Sequence, residues 1–468
     1  MRFFRNVHFK RSNVYIAESL LPKLGSFIFL PFLFRYVTTE IWAEIALMIA
    51  VSELLAKIYL FGFQSSIYRF ANEINSDQKN SIFGQLLKRI LIISTFVFLI
   101  FEIFNSFFWS SIFQFEFGLP MRTSIIISIF SALNIFLTQY IRSLRQSRKL
   151  FKGSLIYTLL IVFLQFTSIS YISINFGKED RMMVTAYLVS LALSALLRSL
   201  YFLNFLQIKK VSFSNSNIIN IKEFLNYAKP AAGIGFSAIM VTHGVKLIIQ
   251  SNISLEILGK YFSYLSYAGI FFVIFGATQS YLIPKLFKIK SLDSVNFRIT
   301  LIYYWTALGI VYTILFSKIS TIFIPIEYEL QTDLFITVFL IQIFSANRTL
   351  TGISYDIEKN LNTKLYIFVT LALIFLIVIF NIDSLEVFLS LNLIFYFTLG
   401  NAYSIISREW KLLINYNIVH FILIFITLNY LDKFIEYQNL ILFFTISLIV
   451  YLTPKIISSY ENLEVFSE

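Results

Sequence analysis

The sequence predicts an all-α integral membrane protein of about 14 transmembrane helices, arranged as two pseudo-symmetric six-helix lobes plus two C-terminal helices. Three observations carry this: an apolar composition with few charges, basic residues that favour alternate loops, and a weak internal repeat.

Of 468 residues, 57% are hydrophobic and only 14% charged, with a mean hydropathy of +0.75. Soluble domains carry about 25% charged residues, so no long stretch here is polar enough to form a soluble surface. Phe and Tyr number 54 and 27, and many sit where apolar runs meet polar loops, as interfacial anchoring requires. The absence of cysteine excludes disulfides, thiolate metal sites and Cys nucleophiles. The formal charge of +12 is scattered over short loops rather than gathered in a stripe, which argues for membrane topology and against nucleic acid.

A spanning helix needs about 20 mainly apolar residues. Candidates lie at 14–34, 41–63, 90–109, 123–141, 153–176, 182–206 and 230–250, then at 261–284, 299–317, 332–352, 365–382, 385–405, 412–431 and 438–454. The first carries Glu18, Pro22 and Lys23, unlike the unbroken apolar core of a signal peptide, and reads as a retained span. Basic residues resist translocation. With a cytoplasmic N-terminus, inner loops carry 26 Lys and Arg against 7 outside, and the run RSLRQSRKLFK at 142–152 is the clearest inner mark. Both termini are therefore expected in the cytoplasm.

The stretch 39–70 resembles 255–287: each enters with an acid (Glu40, Glu256), contains a glycine in an apolar helix (Gly62, Gly276) and leaves through Gln-Ser before a basic residue. Six helices separate the copies, and an even number gives a parallel repeat. The expected organisation is an N-terminal lobe at 1–206, a cytoplasmic linker at 207–229, a C-terminal lobe at 230–405, and the last two helices with a cytoplasmic tail at 406–468.

Ionisable side chains inside spans cost roughly 2.5 kcal/mol or more at the bilayer centre, so they usually face a wet cavity or a partner. Lys23 is the deepest, too far from either end to reach the interface easily, and fits a cavity lining or a buried ion pair with another helix. Pro22 beside it removes a backbone donor and disfavours a straight helix. Lys57 sits one turn after Glu53, which suits a local pair as well as a cavity lining. Arg198, Lys246 and Arg348 lie nearer helix ends, where snorkelling is the structural alternative. Beyond the first two residues of each span, the in-span acids are Glu18, Glu44, Glu53 and Glu102, so the cationic excess there is slight. His243 and His420 fit helix-packing donors at least as well as proton relays. Gly233 and Gly235, after Pro230, suit either close packing or a hinge.

The segments FGFQSSIYRFANEINSD (61–77) and YAKPAAGIGFSAIM (227–240) carry a family resemblance, extended by ILGKYFSYLSYAG (257–269), IPKLFK (283–288) and the stretch 323–350. Over nearly its whole length the chain resembles the polysaccharide flippases, the O-antigen branch of the multidrug/oligosaccharidyl-lipid/polysaccharide exporter superfamily. Where such proteins often carry Asp-Arg in the seventh helix, this chain has Val245-Lys246 after His243, which keeps the cation and loses the acid.

The resemblance implies a bacterial inner membrane protein of lipopolysaccharide assembly that moves an undecaprenyl-pyrophosphate-linked oligosaccharide to the periplasmic leaflet by alternating access. Lys23, Lys57, Lys246, Arg348 and Arg198 are then the expected substrate-binding residues, Glu18 and Glu53 the candidates for Na⁺ or H⁺ coupling, and Pro22, Gly233 and Gly235 the hinge. A polysaccharide polymerase and chain-length proteins are the implied partners, with membrane lipid around the chain. No cofactor is expected, since neither a phosphate loop nor a zinc motif occurs. No large loop places acid and base for catalysis, which argues against an enzyme. The alternatives are a cation-coupled multidrug exporter of the same superfamily, which would prefer acids and aromatics in its cavity, and a non-transporting assembly partner indifferent to the in-span charges.

Overall fold

The structure, a computed structural model, describes residues 7–70, 76–103, 118–144, 146–178, 180–205, 221–286, 292–353, 355, 361–380, 382–436 and 445–456. The described residues are helical and contain no strand. Nine of their helices are long and apolar enough to cross a membrane, which makes this a multi-pass membrane protein.

The helices are α1 (Val7–Tyr36), α2 (Thr39–Leu60), α3 (Phe63–Phe70), α4 (Ser76–Ile103), α5 (Leu119–Ser143), α6 (Ser147–Phe176) and α7 (Met182–Phe205). After them come α8 (Ile221–Ile239), a π-helical segment (Met240–Gly244), α9 (Val245–Ile249), α10 (Leu255–Leu286) and α11 (Leu292–Phe323). The series closes with α12 (Thr332–Thr351), α13 (Leu361–Ile379), α14 (Leu385–Ile406), α15 (Trp410–Glu436) and α16 (Thr445–Ile456). Most helices outrun the spans expected from hydropathy: α8 begins at 221 rather than 230, and α11 at 292 rather than 299. A helix extends past the hydrocarbon by a polar turn or more, whereas an apolar window stops at the first charge. The linker up to 220, residues 104–117 and the tail beyond 456 lie outside the described residues.

The chain divides into two compact units, the first Met1–Gly259 with Leu376–Asp383, the second Lys260–Phe375 with Ser384–Glu468. Residues 230–259, grouped by the sequence reading with the C-terminal lobe, thus belong to the first unit, where α8 packs on α2 and α3. The short return at 376–383 is held there by Asn252, whose amide donates to the carbonyls of Phe380 (3.2 Å) and Ile382 (3.1 Å).

In the first unit α1 lies along α6, α2 along α5, and α7 fills the groove between α5 and α6. Gly25 lets α1 approach Thr158 and Val162 of α6, the small-residue contact that stands in for hydrophobic driving force between helices in lipid. Leu159, Phe163 and Phe166 on α6 stay exposed; hydrocarbon solvates such a face at no cost. Thr38 caps α2 by accepting from the amide of Ile41, and the helix ends where Phe61 (φ 42°) and Gly62 (φ 72°) turn left-handed. Gly62 is required twice over, by that dihedral and because a Cβ there would strike the backbone of Ala228 and Ala232. The first repeat copy is therefore broken into α2 and α3, whereas α10 runs unbroken through Gly276. The expectation of one helix through Gly62 is corrected: two successive left-handed residues cannot continue a right-handed one.

In the second unit α12 is the central helix, flanked by α11, α14 and α15. Its core is aromatic, with Phe316, Phe335 and Phe339 meeting at centroid distances of 4.9 to 6.1 Å.

Candidate functional site

Among the described residues, four ion pairs on three glutamates tie the first unit together, and each joins levels that an up-and-down bundle brings to one end. Glu44, early in α2, meets Arg181 just before α7 at 3.1 Å, and Glu102, at the end of α4, meets Arg122 in the first turn of α5 at 3.4 Å. At the opposite end of the bundle, Glu18 of α1 accepts from Arg142 Nη2 (2.6 Å), at the end of α5, and from Arg198 Nη2 (3.2 Å) on α7. Ser154 Oγ on α6 adds a third donor to Glu18 at 3.1 Å, while Arg198 Nη2 also reaches the Ser154 oxygen at 2.9 Å.

This cluster forms one wall of a cavity of about 450 Å³ between α1, α2, α5, α6 and α7, in the size range of small-ligand sites. Glu18, Pro22 and Lys23 line it from α1, Ser52 and Glu53 from α2, Asn134, Thr138, Gln139 and Arg142 from α5, Tyr157 from α6, and Tyr187 and Arg198 from α7. Lys23 is exposed, and Glu18 only 2% so. Asn134 donates to the carbonyl of Ala195 at 2.8 Å, but its Oδ1, like Gln139 Oε1, is buried without a hydrogen-bond partner. Arg198 packs its guanidinium on the rings of Tyr157 and Phe202, each 5.3 Å away, and its Nε has no acceptor.

A second group of charges stands close by in the same unit. Lys246 on α9 is near enough to Lys23 and Glu53 for their charges to act on one another, and His243 is similarly near Lys23, Lys57 and Lys246. Lys57 feels Glu53 one turn before it. His243 lies in the π-helical segment, where one extra residue per turn shifts the phase of everything after it.

The structure thus brings Lys23, Lys57, Lys246, Arg198, Glu18 and Glu53 into one unit. Arg348 belongs to the second unit, half-buried between the rings of Phe368 and Tyr396 at 5.4 Å each. Arg198 is an ion-pair partner of Glu18 on α1. The hinge residues sit inside regular structure: α1 runs through Pro22 and α8 through Gly233 and Gly235, with the irregular turn five residues later. No atom lies within 4 Å of a Cβ built on Gly235, so close packing does not explain that glycine. His420 is a packing histidine, its Nδ1 2.6 Å from the carbonyl of Tyr416 and its Nε2 3.2 Å from Asn347 Nδ2.

Sequence reasoning missed Arg142, Ser154, Asn134 and Gln139. Arg142 opens the basic run taken as a loop, yet occupies the last turn of α5. The available signal was Glu18 itself, since a carboxylate inside a span requires a cation from another helix.

The fold is that of MOP-superfamily transporters. Lipid II flippase MurJ, in an inward closed conformation, matches with a TM-score of 0.60 and 14% identity, over 95% of this chain and 96% of that one. An outward-facing multidrug resistance MATE family transporter matches with a TM-score of 0.58 and 13% identity, over 85% and 95%. A mutant form of the Vibrio cholerae MATE transporter VcmN matches with a TM-score of 0.56 and 12% identity, over 87% and 97%. No family model matches the sequence, and no curated relative matches it.

Proposed function

We propose that this protein is a flippase of the O-antigen type, carrying a polyprenyl-pyrophosphate-linked oligosaccharide from the cytoplasmic to the periplasmic leaflet of a bacterial inner membrane by alternating access. The observation that carries this reading is the charge of the first-unit cavity. Lys23, Arg142 and Arg198 line it against Glu18 and Glu53, with Lys246 and Lys57 nearby. Unshielded pyrophosphate and sugars cannot cross hydrocarbon, because a buried charge without a partner costs many kcal/mol. Lysine and arginine supply charge-assisted hydrogen bonds to the phosphates, while the unmet amide oxygens of Asn134 and Gln139 suit sugar hydroxyls. The polyprenyl tail stays in lipid. Arg348, held between two aromatic rings in the second unit, is proposed to serve the same substrate, as is coupling by Na⁺ or H⁺ at Glu53 and Glu18. The flipped unit passes to a polymerase and its chain-length proteins.

Tyr157, Tyr187 and Glu53 in the cavity favour a second reading, a multidrug exporter of the same superfamily that takes cations. Depletion of the protein in its host, with leaflet-resolved measurement of the lipid-linked repeat unit, separates the two. The flippase reading expects cytoplasmic accumulation and loss of surface polymer. Complementation by Lys23→Ala is expected to give at least tenfold less export from an equal amount of membrane-inserted protein. Normal polymer with new sensitivity to cationic drugs would overturn the reading in favour of the exporter, and normal export by Lys23→Ala would remove Lys23 from the site.

A further inference from the structure

One side chain of the first-unit cavity has its hydrogen-bonding role fixed by a neighbouring helix. Ile127, Ser131, Asn134 and Thr138 recur at helical spacing along α5, so one stripe of that helix faces the cavity, with Asn134 inside it and only 6% exposed. The amide nitrogen of Asn134 is already spent, donating to the carbonyl of Ala195 on α7 at 2.8 Å. A carbonyl only accepts, so the amide cannot turn over, and Oδ1 is left as a buried acceptor with no hydrogen-bond partner among the described residues. Gln139 Oε1, in the same lining, is a second such acceptor. A buried acceptor left unmet destabilises a membrane helix, and alanine would avoid it, so both oxygens call for a donor that the helices do not supply. Tyr157 and Tyr187 line the cavity from α6 and α7. Acceptors beside aromatic side chains suit a pyranose, with O–H donors at its rim and C–H groups on its faces. A carboxylate or ether oxygen offers Asn134 no proton, and an ammonium is served better by a carboxylate than by a neutral amide.

We infer that Asn134 is a specificity-determining residue of a neutral sugar subsite, its Oδ1 accepting from one O–H or N–H of the sugar and Gln139 Oε1 accepting from a second. The subsite takes a hydroxyl or an acetamido N–H opposite Asn134 and rejects any group there that cannot donate. The natural ligand, the glycan of a lipid-linked unit, rests on the flippase reading; the donor requirement belongs to the cavity itself.

The test is ligand-observed NMR titration of the purified full-length protein in nanodiscs with N-acetylglucosamine, which carries both hydroxyls and an amide N–H. Parallel titrations use analogues in which one hydroxyl at a time is replaced by fluorine, a substituent that donates no hydrogen bond. A ligand donor exchanges one hydrogen bond to water for one to Asn134, so wild type is expected to bind at least one fluorinated analogue about fivefold more weakly than the parent sugar. In Asn134→Ala that analogue and the parent are expected to bind within about twofold of each other, whereas a purely structural role would weaken every analogue alike and keep the ratios. Ser199, one turn after Ala195, has a buried hydroxyl without a partner and is placed to take over the Ala195 carbonyl in this variant. Should Asn134→Ala fail to fold, Asn134→Leu removes the same oxygen while filling its volume, and Gln139→Leu is expected to erase the loss at a different hydroxyl. Absence of N-acetylglucosamine binding, equal binding of every fluorinated analogue, or unchanged ratios in the Asn134 variant would overturn the inference. Tighter binding of glucosamine, whose ammonium probes a cation site, would overturn it as well. If depletion leaves the polymer normal while the fluorine pattern depends on Asn134, the flippase reading fails and the subsite stands; lost polymer with a flat pattern does the reverse.

Discussion

Each unit places an arginine–glutamate cluster at one end of its helices, and the two are built differently. In the second unit Arg298, 1% exposed, gives both terminal nitrogens to Glu409 and also donates to the carbonyl of Leu350 at 3.4 Å. That one fork on one carboxylate ties the start of α11 to the end of α12 and to the turn between α14 and α15. In the first unit two forks share Glu18 beside a cavity. One guanidinium matched to one carboxylate has little charge to offer a ligand. Two guanidiniums on one carboxylate at a cavity wall stand within reach of a ligand. The same residue types thus act as a fastener in one unit and as a site in the other.

The sharpest way to break this contrast is Arg298→Ala. It takes both guanidinium donors from the half-buried Glu409, which keeps Ser407, and is expected to cost about 3–5 kcal/mol, read as a large fall in thermal unfolding temperature in detergent and in yield of folded protein. A smaller loss, about 1–3 kcal/mol, is expected from His420→Ala. This removes the ring between Asn347 and the Tyr416 carbonyl while Asn347 keeps Thr306 at 2.8 Å. The smallest stability change, about 1 kcal/mol, is expected from Arg198→Gln, because Arg142 and Ser154 still hold Glu18. Its transport should nevertheless fall at least tenfold. If Arg198→Gln unfolds as readily as Arg298→Ala, the first-unit cluster is a fastener too and the contrast disappears.

Much of the helical order was legible, because long apolar runs and the alternation of basic loops both follow from the exclusion of charge from lipid. Lys23, Arg198 and Glu18 could be singled out for the same reason. Arg142 and Arg298 could not: one sits in the last turn of α5 and the other in the second turn of α11, both just outside the apolar runs, where composition looks like loop. The break at Phe61–Gly62 and the π-helical segment at Met240–Gly244 were invisible for another reason. One is a backbone dihedral and the other a single extra residue in a turn, and neither changes hydropathy.

The Glu18 cluster also has a history written in chain positions. Glu18 is synthesised 124 residues before Arg142, 136 before Ser154 and 180 before Arg198. During co-translational insertion α1 must therefore enter the bilayer before either arginine exists. The acid can be clamped only when α5, α6 and α7 have been threaded in the correct orientation. An inverted α7 would carry Arg198 to the wrong end of the bundle and leave Glu18 short of a partner. The cluster therefore closes only in a chain whose α1, α5, α6 and α7 all run in the observed directions, across a separation of 180 residues.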